Sequence, residues 1–144
     1  MMPQQLDTIQ DETPDHYALR STWTYKDAEG AVIGYVARYD LVNKTDGLKE
    51  KDYRPFFRRS GDVFLVGAAL APRPLYGLDV LAERPDAPVL IVEGEKTADA
   101  AAVLFPGFVV VTSPGGNCGA GSADWTPLDG RAAITIWPDR KSVV

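Results

Sequence analysis

The sequence predicts an α+β protein in which an antiparallel, β-rich half is followed by a smaller parallel α/β half. Three observations carry this. Residues 21–40 place strand-forming runs on either side of a turn at Asp27-Ala28-Glu29-Gly30, the pattern of a β-hairpin. Val89-Leu90-Ile91-Val92 is a continuous apolar run bounded by Pro88 and Gly94, which suits a strand buried on both faces. Small apolar residues then recur at helical spacing before two more short apolar runs, the order of an α/β unit.

In chain order, residues 1–19 read as an acidic tail. Asp7, Asp11, Glu12 and Asp15 repel one another, and Pro3 and Pro14 interrupt regular structure. A solvated arm fits this composition better than a short helix at 6–11 or an arm that orders on a partner. Residues 20–85 form the β-rich region. Thr22-Trp23-Thr24-Tyr25 and Ala31–Asp40 are its first two strands, and Asn43–Gly47 signals a turn. Lys51–Arg59 is a third strand that Pro55 should push to an edge or an irregular path. Val63–Val66 is short and apolar, Ala71–Pro74 is a connector, and Leu75–Leu81 is a short helical segment. The break Glu83-Arg84-Pro85-Asp86-Ala87-Pro88 sets the boundary with residues 86–144.

In the second region, Val89–Val92 is a buried strand. Glu95–Phe105 is a helix whose Ala98, Ala101 and Ala102 allow close packing on a sheet, ended by Pro106-Gly107. Phe108–Val111 is a second strand, Thr112–Ser122 a loop, Ala123–Leu128 a short turn, and Ala132–Trp137 a third strand.

Composition narrows the function classes. With 144 residues, 45% hydrophobic and 24% charged, the chain suffices for one domain or two small layers sharing a core. No apolar run approaches the roughly 18 residues of a membrane helix, and no signal-type apolar core opens the chain, so no membrane partner is expected. Cys118 and His16 are the only cysteine and histidine. Neither an internal disulfide nor a Cys/His zinc cage can form, and the reducing cytoplasm is the expected compartment. A net charge of −5 denies the molecule a global positive field, so contact with nucleic acid has to be local.

Four stretches are candidates for chemistry. Glu93 and Gly94 end a buried strand where open α/β sheets place their ligands, and Glu95 and Lys96 open the following helix. Glu93 there suits a general acid/base or a metal ligand, although an ordinary strand-to-helix turn accounts for it as well. Asp139 ends another strand, and two carboxylates on one sheet edge suit Mg²⁺, but Arg140 and Lys141 beside them oppose a cation. Thr112-Ser113-Pro114-Gly115-Gly116-Asn117 can present backbone N–H groups to a phosphate, or can be an ordinary loop. Lys49–Arg59 interleaves aromatics with cations, among them Arg54, Arg58 and Arg59, as a single-strand binder does and as a half-buried strand with a charged face also does.

Taken together, residues 86–139 resemble a Toprim domain, closest to those of primases and primase-helicases of phages, plasmids and other mobile elements. The likeness rests on Val92-Glu93-Gly94-Glu95-Lys96 with the small-residue helix after it, on Ser113-Pro114-Gly115-Gly116, and on Trp137-Pro138-Asp139. Tyr25–Gly30, Tyr35–Asp40, Lys51–Pro55 and Pro72–Gly77 resemble the β-rich region that precedes Toprim in those primases. The resemblance implies a general acid/base role for Glu93 and a Mg²⁺-holding role for Asp139. It also places Lys141 where the family's second metal-binding aspartate belongs, and the chain stops at Val144, before the family's last helix and strand.

The expectation is therefore a C-terminally truncated, non-catalytic primase relative with no cofactor, or Mg²⁺ if the seat is retained. It would bind single-stranded nucleic acid or replication proteins, with Lys96, Ser113, Gly115, Gly116, Arg54, Arg58 and Arg59 on nucleic acid or phosphate. One alternative is an inhibitor of a host defence nuclease complex, of the anti-CRISPR type. Another is an active Mg²⁺-dependent nucleotidyltransferase or nuclease whose third ligand comes from Glu95 or a second subunit. A sheet edge exposed near Trp137 would favour a homodimer or a partner contact.

Overall fold

A computed structural model describes residues 17–42, 49–61, 63–115 and 119–139. It has the mixed architecture that the sequence predicts. Strands β1 (Tyr17–Lys26), β2 (Val32–Val42), β3 (Lys49–Ser60) and β4 (Val63–Val66) form an antiparallel sheet in sequence order. Helix α1 (Leu78–Glu83) leads to the second layer, where β5 (Val89–Ile91), α2 (Glu95–Leu104), β6 (Val109–Val111) and β7 (Ile134–Ile136) follow. Its sheet is parallel, ordered β6-β5-β7.

The hairpin turn at 27–30 closes as its sequence implies. Asp27 Oδ1 accepts the N–H groups of Glu29 and Ala31, and Gly30 takes φ +87°. β1 includes Tyr17 to Leu19, which the sequence pattern places in the tail. β3 is interior, not the edge strand that Pro55 suggested. The reason is local. β4 pairs only with residues 57–60 of β3, and the Pro55 carbonyl accepts the Gly67 N–H at 2.9 Å just beyond it. The missing Pro55 N–H faces that same side, where the ladder has ended, so no sheet bond is lost.

Alternation along the strands gives the antiparallel sheet two apolar faces. One buries Ala37, Tyr39 and Phe56 among Tyr17, Leu19, Tyr35 and Phe64. The other buries Trp23, Tyr25, Val36 and Phe57, with Ile33, Ala69 and Tyr76 against them. Gly34 permits this second packing. A Cβ there would lie 2.2 Å from Phe57 Cδ1, so the ring occupies the space of the absent side chain.

β5 and β6 are covered on both faces, as the unbroken apolar run requires, while β7 at the sheet's edge is exposed along its length. Val89, Val109 and Val111 face Leu75, Leu81 and Leu128, while Leu90, Val92 and Val110 face Ala98 and Ala101 of α2. Arg131 ties α1 to this layer through the Arg84 carbonyl at 2.5 Å, the Ala87 carbonyl at 3.2 Å and the Leu81 carbonyl. Tyr76 packs in two of these apolar clusters and joins the layers. At the outer side of β7, Ile136 and Trp137 are exposed, with the Phe105 ring 5.6 Å from that of Trp137. No helix among the described residues is long and apolar enough to cross a membrane.

Candidate functional site

β5 lies between β6 and β7, so the chain leaves it toward one neighbour through α2 and later returns on its other side. That is a switch point in a parallel sheet, and its carboxyl edge is where such sheets open a crevice. Glu93 follows β5 at this edge, Thr112 follows β6 and Asp139 follows β7.

The turn after β5 is built around Gly94, at φ +94° and ψ 150°, a conformation that essentially only glycine adopts. Its N–H donates to Thr112 Oγ1 at 2.9 Å, which fixes the turn to the end of β6. The Val92 N–H donates to the Val111 carbonyl and the Trp137 N–H to the Ile91 carbonyl, so all three strand ends are held together. Glu93, Gly94, Lys96 and Asp139 thereby reach one cleft of about 640 Å³.

The opposite wall comes from the antiparallel sheet. Trp23, Val36, Lys51, Tyr53, Pro55 and Phe57 line it. The register explains why, since Trp23 pairs with Val36 and Val36 with Pro55, placing all three on one face with Tyr53. Tyr53 is 52% exposed, and its ring lies 24° from the plane of Trp23 at a centroid distance of 6.4 Å. The cleft thus has a carboxylate-bearing wall and an aromatic wall, with Lys96 on the first and Lys51 on the second.

Glu95 has a different place from the one its sequence position suggests. It is 8% exposed, and its Oε2 accepts the Tyr25 hydroxyl at 2.9 Å across the layer boundary. Burial raises its carboxyl above the ordinary range against the lowering effect of hydrogen bonds from its own backbone and from Tyr25, and the neighbouring Asp99 carboxylate adds to the rise. Burial, reinforced by Glu95, raises the Tyr25 hydroxyl, so it stays a donor. Tyr76 donates to Asp99 Oδ1 at 2.7 Å in the same arrangement, one helical turn along. Glu95 therefore fastens α2 to β1 through Oε2, while it lines the same cleft as Glu93 and Asp139.

The basic residues expected on nucleic acid are divided. Arg54 lies on the far face of β3, its guanidinium 5.1 Å from the ring centroids of Tyr17 and Tyr39 and its Nε 2.9 Å from Asp52. Arg58 is exposed and shares the strand parity of Arg54, away from the cleft. Arg59 donates to the Ala68 carbonyl at 2.7 Å and holds the segment after β4. Gly115 lines the cleft with φ +80°, whereas Ser113 is buried and lines a smaller apolar pocket with Trp125 and Trp137. Gly116, Asn117, Cys118, Lys141, His16 and the turn at 43–47 lie outside the described residues.

Lys51 and Tyr53 belong to the stretch Lys49–Arg59 that the sequence offers for nucleic acid, in which only the arginines are named as contacts, and Trp23 reads as a packing residue. The period of two in β3 separates Lys51, Tyr53 and Phe57 from Arg54 and Arg58, but which of the two sets meets the cleft, and that Trp23 of β1 joins it, is set by the pairing register. No group of three or more His, Cys, Asp or Glu side chains suited to a metal ion occurs among the described residues. Glu93, Glu95 and Asp139 are the carboxylates that line the cleft, and Mg²⁺ ordinarily takes one or two carboxylates with waters and phosphate oxygens and no all-protein cage.

A family model described as "Domain of unknown function (DUF6371)" matches residues 18–140, so the chain belongs to that family. Neither the curated proteins nor the solved structures contain a match to it.

Proposed function

We propose that this member of the DUF6371 family is a Toprim-like relative of mobile-element primases that binds single-stranded nucleic acid in the cleft between its two sheets, without catalysing primer synthesis or cleavage. One observation carries the reading. The switch point of the parallel sheet brings Glu93, Lys96, Gly115 and Asp139 into the same cleft as Lys51 and Tyr53 of the antiparallel sheet. A strand needs such a combination of cations for phosphates and an aromatic surface for bases. The cleft is of the size that takes a few ligand groups and not a duplex. Two features support a binding role over a catalytic one. Glu95 is committed to Tyr25, and Lys141 stands in the sequence where the resemblance implies a second metal-binding aspartate.

The test is fluorescence anisotropy of a labelled oligothymidylate titrated with the protein at several salt concentrations. Weak binding is expected, because the net charge of −5 opposes the ligand everywhere except locally. With Lys51 and Lys96 as the phosphate contacts, log K should fall against log salt with a slope of about −1.4, that is ~0.7 for each contact. Absence of binding at low salt, or binding indifferent to salt, refutes the reading.

A further inference from the structure

Tyr53 is the large aromatic of the cleft wall that the core does not absorb. It belongs to neither apolar cluster of its sheet and is 52% exposed, while Trp23 beside it on the same face is 7% exposed. The two rings are close to parallel, so the buried indole fixes the attitude of the exposed phenol. Lys51 stands two residues before Tyr53 on the same face, and Lys96 and Gly115 line the facing wall. A half-exposed ring held in place by a buried one, between cations on two walls, offers a flat apolar surface with anion contacts on either side of it.

We propose that Tyr53, backed by Trp23, is a stacking platform for one nucleobase, with Lys51 and Lys96 taking the phosphates on either side of it. This rests on the nucleic-acid reading above and adds to it the place of one base and the order of contacts along the ligand. Stacking is tolerant of base identity, so the platform accepts any base, and its ligand chemistry is shared by a single strand and a free nucleotide. The carboxylates Glu93 and Asp139 line the facing wall too, which directs the phosphates toward the lysines and away from the strand ends of the parallel sheet.

The experiment compares labelled oligothymidylate, an abasic oligonucleotide of the same length, and unlabelled thymidine monophosphate as competitor, on the native protein and on Tyr53→Ala, Tyr53→Phe and Lys96→Ala. Tyr53→Ala should weaken the oligothymidylate about tenfold and Tyr53→Phe should restore it, since the ring and not the hydroxyl does the stacking. The abasic oligonucleotide should bind the native protein more weakly by a similar factor and be indifferent to Tyr53→Ala. Lys96→Ala should weaken both oligonucleotides alike. Failure of the monophosphate to compete, nucleotide for nucleotide, is the result expected of a strand held by two lysines; equal competition overturns that arrangement and assigns the site to a free nucleotide. If Tyr53→Ala leaves the oligothymidylate unchanged while Lys96→Ala weakens it, the platform is refuted and nucleic-acid binding stands. If neither oligonucleotide binds the native protein, the underlying reading falls and the platform with it.

Discussion

The hydrogen bond from Tyr25 to Glu95 is a measurable link between the two layers. Tyr25→Phe removes only the hydroxyl. The ring and its contacts at 5.2 Å with Phe57 and Tyr76 remain, so packing is preserved while the Glu95 carboxylate loses a donor in a site that is 8% exposed. A hydrogen bond to a buried charged group is worth about 1.5–3 kcal/mol. For a domain of this size that corresponds to a fall in Tm of roughly 5–9 °C at neutral pH. The pH dependence supplies a second check. The Glu95 carboxyl is raised in the folded state above the ordinary glutamate value of 4.5, principally by burial. Folding then takes up a proton between the two values. The stability linked to Glu95 is present below 4.5 and is lost as pH rises through the raised folded value. Below that window the carboxyl is neutral in both states, and Tyr25→Phe forfeits only a neutral bond, about 1 kcal/mol. Glu95→Gln cannot titrate, so its stability relative to the native protein should climb across the window and level off above it. Thermal unfolding followed by circular dichroism in a series of buffers reads both. A Tyr25→Phe penalty near zero at pH 7, or one that grows on acidification, refutes the view that this hydroxyl supports a buried carboxylate.

Three other outcomes follow from the geometry. Gly34→Ala places a methyl 2.2 Å from Phe57 Cδ1, and displacing that ring should cost about 1–3 kcal/mol, seen as a lowered urea midpoint with an unchanged m-value. Arg54→Ala should leave oligonucleotide affinity unchanged in the anisotropy assay yet lower the unfolding free energy by about 1 kcal/mol, because the guanidinium lies over Tyr17 and Tyr39 on the face away from the cleft. Glu93→Gln and Asp139→Asn should each tighten oligonucleotide binding about twofold in metal-free buffer by relieving repulsion of the phosphates. Weakening by either substitution would show that those carboxylates contact the ligand favourably.

Much of this architecture was legible in the sequence because single residues dictate it. Pro88 and Gly94 bracket an apolar run that only a doubly covered strand can bury, and β5 is found there between α1 and α2. Asp27 and Gly30 specify their turn. Pro55 misled in β3, because its effect depends on which side of the strand has a neighbour, and that is set by where β4 stops, a property of another segment. Glu95 misled for a similar reason. A carboxylate in the first turn of a helix is ordinarily solvated, and its burial here depends on Tyr25, seventy positions earlier in the chain. The site divided along the same line. Glu93 and Asp139 were visible as ends of apolar runs, whereas Trp23, Lys51 and Tyr53 are brought to the cleft by the pairing register of three strands, which no local pattern states.

That division bears on what the cleft can do. Its carboxylates come from one sheet and its aromatic wall from the other, so neither layer alone makes a binding site for a base with its phosphates. The relative setting of the layers then becomes a functional quantity, and few contacts govern it. Tyr76 packs in clusters of both layers and donates to Asp99, while Tyr25 packs against Tyr76 and donates to Glu95. Both acceptors lie in the first two turns of α2, the helix whose first residues follow Glu93 and Gly94 directly. A shift of α2 against β1 would move Lys96 relative to Lys51 and change the span across which phosphates are held. Tyr25→Phe should therefore weaken oligonucleotide binding although Tyr25 is fully buried, and should do so with the salt slope unchanged, because the number of phosphate contacts is the same and only their spacing is altered. A reduced slope would mean instead that a lysine contact had been lost outright.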